Sequence, residues 1–284
     1  MVNEPTVAQA LVAAQSAGLD RLDAQLLLLH ALGKAVSDRA WLMAHDIDLL
    51  DVAVSTRFAT LVQRRAAGEP LAYLVGSQEF FGLNLQVDPR VLIPRPDTET
   101  LVNWSLEVLK RSRMPAEPAV LDLGTGSGAI ALAIAHSLKI TGQPVHIEAS
   151  DASAGALAVA RENASRLQLD VNFVASSWFE KVVGHFHLIA ANPPYIADGD
   201  PHLSALTHEP QEALTAGADG LNDIRSIIGQ TPDHLYPGGW LLLEHGFDQA
   251  PPVRKLLAER GFKAVQSRLD LAGIERCSGG CWLP

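Results

Sequence analysis

Cysteine is almost absent from this chain: two residues in 284, Cys277 and Cys281. A Cys-x3-Cys pair with no further thiols or nearby histidines is a poor zinc site, so the two read as small apolar residues near the C-terminus. The ten histidines fall into no metal-ligand spacing. His185-x-His187 reads as a solvated strand pair, and no metal is expected. No basic segment followed by an apolar run opens the chain, which gives no sign of a signal peptide. No apolar stretch approaches the roughly 20 residues of a membrane helix. The default is a cytoplasmic protein in a reducing compartment, with no membrane contact. Charged residues are only 19% of the chain and apolar ones 48%. That excludes a disordered chain and supplies a sizeable core. Cations are the minority, 22 Lys and Arg against 32 Asp and Glu, for a formal charge of −10. Stable nucleic-acid binding, which needs clustered Lys and Arg, is not expected.

What is present suits two domains by length. Residues 1–70 read as a small helical bundle, punctuated by Ser, Thr or Asp at helix starts and Gly at helix ends. Thr6 caps a segment closing near Gly18, and Asp20 caps a leucine-rich one stopping at Gly33. Ser37 opens a third helix carrying Trp41, and a fourth ends at Gly68-Glu69-Pro70. Residues 71–96 read as a linker: a β-hairpin around Gly82, then an extended connection set by Pro89, Pro94 and Pro96. Asp97 is expected to cap a helix running to about Lys110. From Ala119 onward, strands at 119–123, 145–149, 171–175, 187–191 and 239–244 alternate with helices at 130–138, 154–167, 222–235 and 250–260. A last hairpin pairs 262–267 with the residues around Cys281. Such alternation predicts an α/β fold for residues 97–284, with a mostly parallel sheet of seven strands covered on both faces.

The first chemistry-bearing motif is Asp122-Leu-Gly-Thr-Gly-Ser-Gly128, between a strand and a helix. Glycines permit a tight turn and close approach of a ligand to the backbone. The spacing is Gly-x-Gly-x-Gly, not the Gly-x-Gly-x-x-Gly of the dinucleotide fingerprint, and an Asp directly before it is more typical of S-adenosylmethionine sites. Asp122 is read either as a structural residue or as a ligand contact. Asp151, about 20 residues further on, can accept both hydroxyls of a ribose, or cap the helix that follows.

The second motif is Asn192-Pro193-Pro194-Tyr195, at the C-terminal end of the fourth strand of this region. Two prolines fix the backbone and donate nothing. The Asn192 side-chain oxygen and the Pro193 carbonyl can then both accept from one NH2 group, and Tyr195 can stack on the flat group that bears it. The lone pair of an amide or aromatic amine is delocalised and attacks poorly. Two acceptors that draw its hydrogens out of plane restore nucleophilic character, align the nitrogen and stabilise the charge that develops on it.

Together these motifs resemble the amino-methyltransferases, a group that includes DNA adenine and protein glutamine methyltransferases. Leu92-Ile-Pro-Arg-Pro-Asp-Thr-Glu99, Glu79-Phe-Phe-Gly-Leu83 and Gly238-Gly-Trp-Leu-Leu-Leu-Glu-His-Gly246 narrow the likeness. They resemble the peptide chain release factor glutamine methyltransferases, over essentially the whole chain. The resemblance implies a Rossmann-like S-adenosylmethionine-dependent methyltransferase domain and an N-terminal domain that binds the protein substrate. It implies methylation of the Gln side-chain amide in the Gly-Gly-Gln loop of peptide chain release factors. It places cofactor contacts on Gly124, Thr125, Gly126, Ser127, Gly128, Asp151, Trp178 and Asn192, and substrate contacts on Asn192, Pro193, Pro194 and Tyr195. Asn192, Pro193 and Tyr195 are the expected catalytic residues. Trp178 is either a wall for the adenine or a core aromatic. Ser177 stands where many members carry Asp, and Ala216-Gly217 replaces a frequent Gly-Gly. Arg95 and Glu99 either border the acceptor pocket or form an ion pair at a helix start. Glu244 and His245 are read as structural. A monomer is expected. The alternatives are a ribosomal-protein glutamine methyltransferase, a DNA adenine methyltransferase and a non-catalytic cofactor-binding module.

Overall fold

Capping side chains set the helices of the first unit in the computed structural model, which describes residues 4–110 and 114–284. Two units divide at Ser77 and Gln78. Helix α1 (Val7–Ser16) starts on a capping box in which Thr6 and Gln9 each accept the other's backbone N–H. Helix α2 (Arg21–Ala31) starts on Asp20, which accepts from Asp23 N at 2.8 Å. Helix α3 (Arg39–Ala44) begins after Asp38 without a side-chain cap, so Ser37 does not open it. Helix α4 (Val52–Ala66) is capped by Asp51. The start of the expected linker is itself a helix, α5 (Leu71–Val75), closed by Gly76 at φ 74°. Its Leu74 joins Leu27, Leu28, Phe58 and Leu61 in the core of this unit.

The expected hairpin around Gly82 forms as β1 (Ser77–Phe80) and β2 (Leu83–Gln86). Asn163 grips Gln86 by its backbone, accepting from N at 2.7 Å and donating to O at 3.0 Å. Asp97 does not cap the next helix. Pro96–Thr98 forms a single 3-10 turn, for which Pro96 presets φ, and α6 (Glu99–Leu109) follows it. Asp97 instead pairs with Arg276 at 3.3 Å.

The remaining elements are β3 (Ala119–Leu123), α7 (Ala129–Thr141), β4 (His146–Asp151), α8 (Ala154–Leu167), β5 (Asn172–Ala175), β6 (Phe186–Ala191), α9 (Asn222–Gln230), β7 (Leu235–Glu244), α10 (Ala250–Arg260), β8 (Lys263–Leu269) and β9 (Glu275–Cys281). Seven of the strands make one sheet in the order β5-β4-β3-β6-β7-β9-β8. It is parallel except where β9 meets β7 and β8, the predicted final hairpin. Alternate residues feed opposite faces. Val120, Leu188 and Trp240 pack with α6 and α7, while Leu121, Ile189 and Leu241 pack with α9 and α10. Helix α9 stops five residues earlier than the sequence suggests, because Pro232 cannot donate to a continuing helix. A 3-10 turn, Thr231–His234, intervenes and Leu235 already belongs to β7. Where β7 enters the sheet it slips: Phe186 faces Leu235, but Leu188 faces Trp240. Among the described residues no helix is long and apolar enough to cross a membrane.

Candidate active site

Four neighbouring parallel strands deliver their C-terminal ends to one edge of the sheet. Leu123 lies level with Ser150 and Ala191, and Asp151 with Ala175. The chain runs outward from β3 through β4 to β5, then crosses back to β6, so the crevice between β3 and β6 is a topological switch point. A cleft of about 300 Å³ opens there. Gly124, Thr125, Gly126 and Ser127 line it from the β3 loop, Asp151 from β4, Ser177 and Trp178 from beyond β5, and Asn192 and Pro194 from beyond β6. A recess of about 70 Å³ adjoins it, lined by Asn192, Pro193, Tyr195, Leu92 and Arg95. Asn192 lines both cavities, and so stands at their junction. Gly128 is set apart: it does not line the cleft. At φ 86° it starts α7, and a Cβ there would meet Leu132 Cδ1 at 2.9 Å, so its part is close packing.

Asp151 holds the loop and the following helix at once. Its Oδ2 accepts from Gly126 N at 2.9 Å and its Oδ1 from Ser153 N at 2.8 Å, while Ser153 makes the cap of α8. Burial raises its pKa, opposed by these backbone donors. Asp122 does not reach the cleft. It lies buried, with Oδ2 accepting from Thr125 Oγ1 at 2.6 Å and Ala131 N at 3.1 Å and Oδ1 unpaired. Desolvation pushes its pKa up to about 7, against those two hydrogen bonds. A carboxyl whose native pKa lies above its unfolded value favours folding most below the unfolded value, and that contribution is lost as pH rises through about 7. Urea denaturation of Asp122→Asn should therefore show less loss of stability than the native sequence between about pH 4 and 8. Parallel pH profiles would refute this.

Trp178 stands in the left-handed region at φ 45° and is partly buried. Its indole Nε1 donates to Asp223 Oδ1 at 3.2 Å. Asp223 also lines the cleft, on a side where Ser177 offers no carboxylate. Desolvation raises the Asp223 pKa. At the junction, Asn192 Nδ2 donates to Thr98 Oγ1 at 3.3 Å, which leaves its Oδ1 as the available acceptor. Tyr195 is anchored by its carbonyl, which accepts from Gln249 Nε2 at 3.0 Å, and its hydroxyl lies 3.4 Å from Glu244 Oε1. Arg95 does not pair with Glu99, which accepts from Phe81 N. It pairs instead with Glu209, a buried residue whose other oxygen accepts from Ile93 N at 3.1 Å.

The donor set fits S-adenosylmethionine, whose sulfonium is cationic. Asp151, Glu212 and Asp223 line the cleft, and its two lining arginines already hold partners, Arg90 on Asp88 and Arg95 on Glu209. The carboxylates thus outweigh the free positive charge. Among the described residues no group of His, Cys, Asp and Glu could hold a metal ion. Sequence reading missed Glu209, Glu212 and Asp223. They belong to the long connection between β6 and α9 and to the first turn of α9, where only the Ala216-Gly217 pair stands out in the sequence. Thr98 sits inside the Leu92–Glu99 stretch, whose role no spacing rule discloses.

Family comparisons agree with this architecture. The model of the PrmC N-terminal domain matches residues 6–76 and that of the methyltransferase small domain residues 105–245. A release factor glutamine methyltransferase of Bordetella pertussis is 48% identical over 93% of this chain and 95% of its own length. Another, from Coxiella burnetii, is 45% identical over 90% of each chain. A crystal structure of a methyltransferase from Pyrococcus furiosus is similar in fold, with a TM-score of 0.52 at 18% identity, over 81% of this chain and all of that one.

Proposed function

The chain belongs to the release factor glutamine methyltransferases, and from that premise we propose which residues carry the reaction and which amide receives the methyl group. It is an S-adenosylmethionine-dependent protein-glutamine N-methyltransferase. The acceptor is the side-chain amide of the Gln in the Gly-Gly-Gln loop of a peptide chain release factor. The observation that carries the assignment of residues is the position of Asn192 between the large cleft and the small recess.

Bound S-adenosylmethionine supplies a methyl group made electrophilic by its sulfonium. Gly124–Ser127, Asp151 and Trp178 line the cleft and would hold it, the Asp151 carboxylate accepting from the ribose hydroxyls and the Trp178 indole packing against the adenine. In the recess, Asn192 Oδ1 and the Pro193 carbonyl accept the two hydrogens of the amide NH2, while Pro194 and Tyr195 border its plane. The two acceptors weaken conjugation of the nitrogen lone pair and aim it at the cleft. They also stabilise the positive charge on nitrogen as the bond forms, after which the surplus proton passes to water. A recess of about 70 Å³ suits a carboxamide on a thin stalk.

Residues 1–70 bind the folded release factor. Support comes from apolar side chains left in solvent there, Met43 at 73% and Ile47 at 80% exposure among them. The enzyme acts in the cytoplasm as a monomer, with no stable hold on nucleic acid, in keeping with its charge of −10. Mass spectrometry of release factor incubated with the enzyme and labelled cofactor should show one methyl on the Gly-Gly-Gln peptide. A methyl elsewhere, or none, rejects the acceptor. In the same assay Ile47→Glu should raise KM for folded release factor about tenfold, the equivalent of 1.4 kcal/mol, and leave a free Gly-Gly-Gln peptide unaffected. An unchanged KM rejects the role of residues 1–70.

A further inference from the structure

Helix α10 begins on an uncommon cap. Gln249 stands at its N-cap, and Pro251 and Pro252 occupy the second and third helical positions. A capping side chain serves the N–H groups of those two positions, and proline has none. The Gln249 side chain accordingly makes no cap. It is buried and turned to other partners. Its Oε1 accepts from Gly246 N at 2.8 Å, while its backbone N donates to Gly246 O at 3.0 Å. This reciprocal pair settles which end of the carboxamide faces which way. Nε2 then donates to the Tyr195 carbonyl at 3.0 Å and the Asp219 carbonyl at 3.3 Å, with that of Gly220 beside them at 3.5 Å. Two bare Cα atoms make the room. A Cβ on Gly220 would lie 2.9 Å from Nε2, and one on Gly246 3.0 Å from Oε1. The turn is also rooted in the sheet: His245 meets Gly246 O through Nδ1 at 2.9 Å and Ser278 Oγ through Nε2 at 2.8 Å.

We propose that Gln249 is a positioning residue of the acceptor site, a clasp that places the Pro193 carbonyl by holding the Tyr195 carbonyl. This rests on the reading of Asn192 and Pro193 as the acceptors of the amide NH2. Pro193 and Pro194 offer no N–H, so the tetrapeptide has few donors of its own with which to be tied down. Its exit is held instead, by Gln249 at the Tyr195 carbonyl and by Ile196 N, which donates to Leu214 O at 2.9 Å. Proline fixes φ at 193 and 194, and Pro194 also restricts the residue before it, so the segment between the two carbonyls is stiff. A displacement of the Tyr195 carbonyl is therefore passed on to the Pro193 carbonyl. The same NH2 group holds the turn at Asp219 and Gly220, the end of the connection whose Pro210, Glu212 and Ala213 line the cleft. Gln249 itself lines neither the cleft nor the recess, so it acts only through the groups it holds.

The test compares Gln249→Met, Gly246→Ala, the two together and Asn192→Ala, measuring kcat, KM for release factor, cofactor Kd by calorimetry and the thermal midpoint. Kinetics are taken well below every midpoint, so that lost stability does not read as lost turnover. Gln249→Met keeps the length of the side chain and none of its hydrogen bonds. It should lower kcat about 10- to 100-fold, the scale of an angstrom's misplacement, with KM and cofactor Kd within about twofold. A side chain that only filled space would lower the midpoint and leave kcat native. Gly246 lies outside the left-handed region, so Gly246→Ala adds only the crowding of Oε1 and should lower kcat about 3- to 10-fold. The pair should be no slower than Gln249→Met alone, because no hydrogen bond is left to displace. Native kcat in Gln249→Met, or a loss carried by KM or Kd in place of kcat, overturns the proposal. Losses that multiply in the pair overturn it too, since Gly246 would then act apart from Gln249. If Gln249→Met does not fold, Gly246→Ala decides, and native kcat there is the refuting result. If Asn192→Ala keeps native kcat, the reading of the acceptor site fails first. If Asn192→Ala loses kcat while Gln249→Met and Gly246→Ala keep it, only the role of Gln249 fails.

Discussion

Asn192→Ala should bind S-adenosylmethionine about as tightly as the native enzyme and transfer its methyl group about 10²- to 10³-fold more slowly, the loss typical of removing one preorganised hydrogen-bonding group from a reacting centre. The two halves of this result have separate causes. On the proposed assignment cofactor affinity draws on Asp151, the Gly124–Ser127 loop and the wall made by Trp178 and Asp223, all of which line the cleft and which the substitution leaves in place. On the proposed assignment the Asn192 oxygen faces the acceptor amide, and its charge is needed most when nitrogen becomes cationic, so its loss falls on kcat more than on KM. Calorimetry with the cofactor and single-turnover transfer to release factor separate the two. A variant that turns over at the native rate would remove Asn192 from the chemistry altogether.

Gly220→Ala should damage both stability and activity. Gly220 stands at φ 69°, where a side chain is strained. Its Cβ would lie 2.2 Å from the carbonyl oxygen of Tyr195 and 2.9 Å from Gln249 Nε2, the donor that holds that carbonyl. The backbone strain costs about 1–3 kcal/mol, and relieving the collision must move the tetrapeptide itself. A shift of about 1 Å there is enough to lower kcat about 10²-fold. Gly33→Ala is the control. Gly33 has a similar φ of 68° and open space around its missing Cβ, so calorimetric unfolding should report a loss of stability with kcat unchanged. Equal kcat in the two variants would show that contact with Tyr195 does not matter.

Much of this is legible in the sequence alone. Strand-helix alternation gave the sheet, and the motifs at 122–128 and 192–195 fell at strand ends that the parallel register then brought level. Capping was legible where a side chain acts alone on its own helix, as at Thr6 and Asp20. It misled at Asp97, where the preceding proline favours a 3-10 turn and a cation 179 residues away claims the carboxylate. Glu209 and Asp223 escaped notice for a related reason. Each gains its meaning from a partner far along the chain, Arg95 and Ile93 for one and Trp178 for the other. No periodicity marks such a pairing. Gly128 carried the motif's spacing yet serves helix packing, because spacing records where a chain can bend and not what lies beyond the bend.

The slip where β7 enters the sheet works as an expansion joint. Two steps along β6, from Phe186 to Leu188, are met by five along β7, from Leu235 to Trp240. The three surplus residues are taken up between two fixed pairs, so the pairing downstream, from Leu188 with Trp240 to Ala191 with Leu243, does not depend on their number. What the joint constrains is side-chain bulk: a Cβ on Gly239 would lie 2.9 Å from the Tyr236 carbonyl oxygen and 3.1 Å from that of Phe186. The end of β7 is thus kept in step with the strand that delivers Asn192 by the ladder itself, and the joint before it admits a change of length more readily than a side chain at Gly239.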